Sequence, residues 1–214
     1  MTLFRLDASI RPEGSATREI GDVVEREWLA AHPGDAVERR HIGVDVLPAD
    51  AWGTAVGAGS TPEADRTPAQ HRAVELAAVL VDELLAADAL LFAVPLYNYG
   101  VSQHFKTYGD LVWTDPRAHG RRFLEGKKAV LVTARGGAYG EGTPRAGWDH
   151  ATPFMRRVLA DVWGTDLTVI EREFTLVGVL PEFDDFRTTA ASMHAEALAT
   201  AQEVGKALGA LQIL

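Results

Sequence analysis

Apolar positions along the chain follow two periods. An unbroken apolar run at residues 89–94 reads as a strand buried on both faces, as inside a parallel sheet; 128–133 is another strand of buried type and 2–6 a short, largely apolar one. Between them, apolar residues recur every three or four positions, the spacing of an amphipathic helix. Such faces are made by Ile20, Val23, Val24, Trp28 and Leu29, by Val74, Ala77, Ala78, Val81, Leu84 and Leu85, and by Phe105, Tyr108, Leu111 and Val112. The second is expected over residues 68–87 with Thr67 as its cap, and the third starts behind a further cap residue, Ser102. A helix over 152–163 carries Pro153 in its first turn, and a closing helix over 184–211 has Met193, Ala197, Leu198, Ala201, Val204, Leu208 and Leu211 on one face. Residues 36–46 form a more polar strand suited to a sheet edge, and 167–174 form the last strand. Residues 47–67, rich in Gly, Ala and Pro, read as an irregular excursion: a lid, an interface segment or disorder. Residues 114–126 read as a polar loop with Arg121 and Arg122 on a solvated face.

Five strands alternating with about five helices point to one α/β domain over residues 1–214, a doubly wound five-stranded parallel sheet with helices on both faces. In the flavodoxin-like order 2-1-3-4-5, strands one, three and four lie together at the centre, and ligands bind at their carboxyl edge. Each of those strands ends in a loop with ligand chemistry. After the first, Ser9, Ser15 and Thr17 precede a helix start, where free N–H groups and the helix dipole attract an anion; Ser15 serves equally as a plain N-cap. No Gly-Lys-Ser/Thr phosphate loop or GxGxxG fingerprint is present. After the second, Pro95 stops the strand and an aromatic turn follows. Asn98 is the sole asparagine of the chain, with Tyr97, Tyr99 and Tyr108 close by. Its amide can pair with a ring edge that alternates C=O and N–H, as a flavin's does, or it tolerates a left-handed turn. After the third, Gly136 and Gly137 either let backbone amides approach a planar ligand or make a surface turn. Three loops thus converge on one place.

Composition removes other chemistries. Without cysteine there is no disulfide, no thiolate metal site and no cysteine nucleophile, and the seven histidines show no close ligand spacing, so no metal is expected. Redox chemistry here requires an organic cofactor. A net charge of −9 disfavours nucleic acid and anionic membrane as partners. No basic leader with a long apolar stretch opens the chain and no run reaches membrane-spanning length, so a cytoplasmic location is expected.

Particular motifs resemble one family. Pro95-Leu96-Tyr97-Asn98-Tyr99 followed by Ser102, Lys106, Tyr108 and Asp110, then Gly126-Lys127-Lys128-Ala129-Val130, Arg135-Gly136-Gly137 and Thr152-Pro153-Phe154, are similar to those of bacterial FMN-dependent NADH-azoreductases, which are also NAD(P)H:quinone reductases of the flavodoxin-like superfamily. The resemblance implies that Ser9, Ser15, Ala16 and Thr17 hold the FMN phosphate. It further implies that Pro95, Leu96, Tyr97, Asn98 and Tyr99 line the ring system, and that Ala134, Arg135, Gly136 and Gly137 contact its pyrimidine side. It implies a homodimer with active sites at the subunit interface, NADH or NADPH as co-substrate, and ping-pong hydride transfer to a flat aromatic acceptor such as a quinone or azo compound. Asn98 and Tyr139 are the candidate catalytic side chains, with Tyr97 and Tyr99 as further stacking or gating groups. Departures fall in the pocket: Ala134 replaces a hydroxyl residue, the 114–126 loop is short, and Leu159-Ala160-Asp161-Val162-Trp163 stands where the family carries a phenylalanine that reaches the partner's flavin. A tailoring reductase for one polycyclic aromatic substrate and a flavodoxin-like electron carrier are the alternatives.

Overall fold

The computed structural model describes residues 1–210. In chain order the elements are β1 (Thr2–Asp7), α1 (Ala16–Ala31), β2 (Ala36–His41), α2 (Ala51–Gly59), α3 (Pro68–Ala86), β3 (Ala89–Ala93), β4 (Leu96–Tyr97), β5 (Gly100–Val101), α4 (Gln103–Val112), β6 (Lys128–Ala134), α5 (Thr152–Arg156), β7 (Asp166–Arg172) and α6 (Arg187–Gly209). Short 3-10 turns lie at Glu63–Asp65 and Pro181–Phe186.

β2, β1, β3, β6 and β7 form one parallel sheet in that spatial order. With the small antiparallel β4–β5 hairpin set aside, this is the expected 2-1-3-4-5 order. Every residue of β3 is buried, because its side chains alternate between two cores. Leu90 and Phe92 join the core under α2, α3 and α4, while Ala89 and Leu91 join the core under α1 and α6. β1 carries one charge inward: Arg5 is buried and lies 3.1 Å from Asp7, 2.7 Å from Asp22 and 3.0 Å from Glu25. Burial opposes its charge, but these carboxylates outweigh that and hold its pKa above the ordinary value. α1 approaches this guanidinium closely at Gly21, where an added Cβ would stand 3.4 Å from it.

Local chemistry sets the helix ends. Thr67 and Gln70 make a reciprocal capping box at the start of α3, with Pro68 in the first turn. At the other end the Lys127 ammonium donates to the Leu84 and Leu85 carbonyls at 2.9 Å and to that of Ala87. There burial draws its pKa below the usual lysine range. α5 widens into a π-helical turn over Arg157–Val162, and the Trp163 N–H donates five residues back to Val158 at 2.8 Å. Trp163 itself is buried, with its ring 5.6 Å from Phe123, 6.4 Å from Phe92 and 6.5 Å from Tyr108. The aromatic group at this end of the helix is therefore a core residue.

Three expectations change. Residues 47–67 are not irregular, since they contain α2, whose Ala51, Ala55 and Ala58 bury against α3 and α4. Small side chains gave no visible stripe, and tertiary packing outweighs the poor helix propensity of its glycines. None of its residues is among those that line the main cleft. Ser102 stands at the N-cap of α4 but makes no cap hydrogen bond, its hydroxyl donating instead to the Ala8 carbonyl at 3.4 Å. β2 stops at His41, and Leu211 of the closing face lies outside the described residues. Among the described residues no helix is long and apolar enough to cross a membrane.

Phe92→Ala removes a ring that packs against both Phe105 and Trp163 from a strand with no exposed face. A loss of about 3–5 kcal/mol is expected, read as a lower urea midpoint at unchanged slope; a loss under about 1 kcal/mol would show that this core tolerates the cavity.

Candidate functional site

The ladder register aligns Asp7 with Ala93 and Ala93 with Val132, so β1, β3 and β6 deliver their following loops to one edge. Those loops enclose a cleft of about 870 Å³, within the range of small-molecule sites. Ser9, Ser15, Ala16, Thr17, Pro95, Leu96, Tyr97, Asn98, Tyr99, Ala134, Gly136, Gly137 and Tyr139 all line it.

In the first loop, Ser15 caps α1, its hydroxyl accepting from Arg18 N–H at 3.3 Å and lying 3.2 Å from the Thr17 hydroxyl. The N-cap reading of Ser15 is thus realised, and it leaves the Ala16 and Thr17 N–H groups in the first turn, where helical amides have no intrahelical partner. Ser9 is buried and already engaged: its hydroxyl accepts from Arg11 N–H at 3.2 Å and lies 3.2 Å from the Tyr97 hydroxyl. Tyr97 also accepts from Ile10 N–H at 3.2 Å, so this tyrosine ties the second loop to the first. Gly43, beyond β2, supports the same loop from behind, because an added Cβ would stand 2.1 Å from the Ser9 carbonyl oxygen.

The second loop is the β4–β5 hairpin, and its two central residues are both left-handed, Asn98 at φ 49° and Tyr99 at φ 67°. That is the turn type which matches the twist of a tight hairpin. The turn reading of Asn98 therefore holds, and its exposed side chain also borders the cleft. Tyr99 packs edge-on to Tyr139 at 6.2 Å and Trp148 at 5.5 Å, while its carbonyl accepts from His150 N–H at 2.9 Å. Three aromatic rings thus gather at the mouth. Pro95 and Leu96 form a buried apolar wall behind them.

The third loop reads differently from expectation in part. Side chains lie close over Gly136 and Gly137: a Cβ on Gly136 would meet the end of Leu176 at 2.6 Å, and one on Gly137 would meet the end of Arg145 at 2.9 Å and Phe183 at 3.5 Å. Their carbonyls accept from Leu176 and Phe174 N–H groups, whereas their own N–H groups donate to no main-chain acceptor among the described residues. Free amides therefore border the cleft, as the paired glycines suggested. Ala134 contributes only a methyl group to this wall.

Arg135 is the predicted residue whose side chain the fold carries elsewhere. Its guanidinium lies 2.9 Å from Asp149, 2.6 Å from Glu171 and 3.0 Å from Glu173, and donates to the Thr152 hydroxyl at 3.1 Å. Burial works against its charge, and the carboxylates of Glu171 and Asp149 outweigh it, raising the pKa. Glu173 also accepts from Tyr139 N–H at 2.8 Å, and Asp149 accepts from Ala151 and Thr152 N–H at 2.9 Å each. One buried cation thereby joins β6, β7, the mouth loop and the start of α5. Neither this role nor that of Gly43 was visible in the sequence, since both depend on contacts between distant segments. The cleft as built suits a flat molecule with an anion at one end: first-turn amides at α1, an apolar wall, then free glycine amides.

Comparison with known proteins agrees with this geometry. The Flavodoxin_2 family model, described as a flavodoxin-like fold, matches residues 1–198. The chain is 37% identical over 188 residues to an FMN-dependent NADH:quinone oxidoreductase of Frankia alni, across 86% of this chain and 89% of that one. It is 37% identical over 204 residues to a protein of the same description from Frankia casuarinae, across 94% and 96% of the two chains. In fold it is similar to the azoreductase of Bacillus anthracis (strain Sterne), with a TM-score of 0.78 at 23% identity over 97% of this chain and 99% of that one.

Arg135→Met leaves Asp149 and Glu173 without their cation and Glu171 with only Arg156, 3.6 Å away. A destabilisation of about 3–5 kcal/mol is expected by chemical denaturation, with Arg135→Lys recovering only part because an ammonium lacks the planar fork. Equal stability of Arg135→Met and the native protein would remove this residue from the account of how the mouth is held.

Proposed function

Because the chain belongs to the flavodoxin-like family that includes the FMN-dependent NADH:quinone oxidoreductases, we propose that it is itself such an enzyme, an FMN-dependent oxidoreductase that takes electrons from NADH and reduces quinones and aromatic azo compounds. The observation that carries the reading is the meeting, in one cleft, of the open first turn of α1 and the free amides of Gly136 and Gly137 across the Pro95–Leu96 wall. These residues fit a phosphorylated, flat heteroaromatic group. Held there, FMN would supply two-electron redox chemistry between the hydride donor NADH and a quinone or azo acceptor.

The chain's own residues do the rest. Ser15, Ala16 and Thr17 receive the phosphate with hydroxyl and amide donors at the positive end of α1. Tyr97 and Ser9 hold that loop in place, and Gly43 lets the turn after β2 back it. Pro95 and Leu96 exclude water from one side of the ring site. The Gly136 and Gly137 amides, with the Asn98 side chain, supply donors toward the pyrimidine edge and favour the more electron-rich form of the ring. Tyr99, Tyr139 and Trp148 narrow the mouth to flat acceptors.

Residues 1–214 then act as one FMN-binding domain, and two copies pair with their mouths at the interface. Supporting this pairing, Tyr99 in the cleft wall, Trp148 packed on it and Ile10 between the lining residues Ser9 and Arg11 leave 41%, 50% and 55% of their surfaces exposed. The dependence on NADH supports a cytoplasmic location.

Steady-state rates with NADH and a neutral quinone are expected to give parallel double-reciprocal lines, as each product leaves before the next substrate enters; intersecting lines would contradict this order. Gly43→Ala is expected to weaken FMN binding at least tenfold by fluorescence titration, because its Cβ cannot avoid the Ser9 backbone. Unchanged affinity would place the phosphate elsewhere.

A further inference from the structure

Four arginines line the cleft: Arg11, Arg18, Arg145 and Arg172. Arg18 is occupied by the carbonyls of Arg11 and Pro12 and by the His41 ring, and Arg172 by Glu19 at 2.9 Å. Arg11 belongs to the α1 loop. Arg145 is different. It stands in the mouth loop on the β6 side, half-buried, and no ion pair among the described residues engages it. Its guanidinium lies 5.9 Å from the centre of the Phe183 ring, and it reaches so close to Gly137 that a Cβ there would be 2.9 Å from a terminal nitrogen. Its head group thus lies between an aromatic face and a glycine, over the free-amide loop.

A partly desolvated cation beside an aromatic ring and without a carboxylate partner, in a chain of net charge −9, marks a place for a visiting anion. That anion is not the one received at α1, because the β3 loop lies between the two. Resting on the FMN-reductase reading, we propose that Arg145 anchors the pyrophosphate of the reduced dinucleotide. The pyrophosphate is the charged part of NADH, it suits the planar fork of a guanidinium, and a neutral quinone has nothing equivalent. Arg145 thus distinguishes the two substrates that use the same mouth in turn. Hydride donor and acceptor compete for the aromatic face, but only the donor gains from the cation.

The test uses the FMN-loaded protein, Arg145→Gln and Arg145→Lys, with two hydride donors: NADH and the neutral N-benzyl-dihydronicotinamide. In Arg145→Gln, KM for NADH is expected to rise about tenfold at nearly constant kcat, with the neutral donor, the quinone KM and FMN affinity little changed; Arg145→Lys recovers part of the loss. Calorimetric titration with ADP-ribose, which carries the pyrophosphate but no hydride, is expected to weaken by the same factor. Unchanged KM and ADP-ribose affinity overturn the proposal, as does an equal slowing with both donors. If the native protein neither holds FMN nor binds ADP-ribose, both this assignment and the enzyme reading fall. If the neutral donor reduces the native protein while Arg145→Gln leaves NADH unaffected, the assignment alone falls.

Discussion

Everything at this site depends on the parallel register of three buried strands. β1, β3 and β6 run side by side, and the pairings of Asp7 with Ala93 and Ala93 with Val132 make them end together. Slipping β3 by one residue would exchange Leu90 and Phe92 with Ala89 and Leu91 between the two cores, so burial on both faces holds the register. The loops that follow are then neighbours without any need to attract one another. A helix start, a hairpin and a glycine loop, each weak as a binding element, become the sides of one cleft.

What the strands bring together, a few polar contacts hold. Arg5 ties β1 to α1 and Arg135 ties β6 to β7, α5 and the mouth loop, each through three carboxylates. In both cases the carboxylates come from different elements, so the buried charge specifies how those elements meet as much as it stabilises them. Tyr97 serves the same end with a hydroxyl, joining the hairpin to the loop before α1. The left-handed pair Asn98 and Tyr99 then turns the hairpin so that an amide borders the cleft and a ring closes its mouth.

The fold and the ring of loops were legible because they rest on local signals. Short apolar runs named the central strands, helical spacing named α1, α3, α4 and α6, and Thr67 marked a cap that the structure contains. α2 was not legible, since Ala51, Ala55 and Ala58 are small and its glycines argue against a helix; only packing against α3 and α4 decides it. Ser102 looked like a cap, yet a carbonyl 94 residues away takes its hydroxyl. Gly136 and Gly137 pointed to a loop that lines the cleft, but not to the Leu176, Arg145 and Phe183 side chains that lie over it. Arg135 stood in the right motif while its side chain answers to Asp149, Glu171 and Glu173. Residue type reported which loops matter, and distant contacts decide what each side chain does there.

The central claim is that this cleft holds FMN and that NADH reduces it there. Visible absorption of the purified protein, mixed with FMN, freed of excess and kept anaerobic, tests both halves at once. A bound flavin spectrum that bleaches in a single step on adding NADH and returns when a quinone follows is the expected result. A colourless protein that takes up no FMN, or a bound flavin that NADH leaves oxidised, would contradict it.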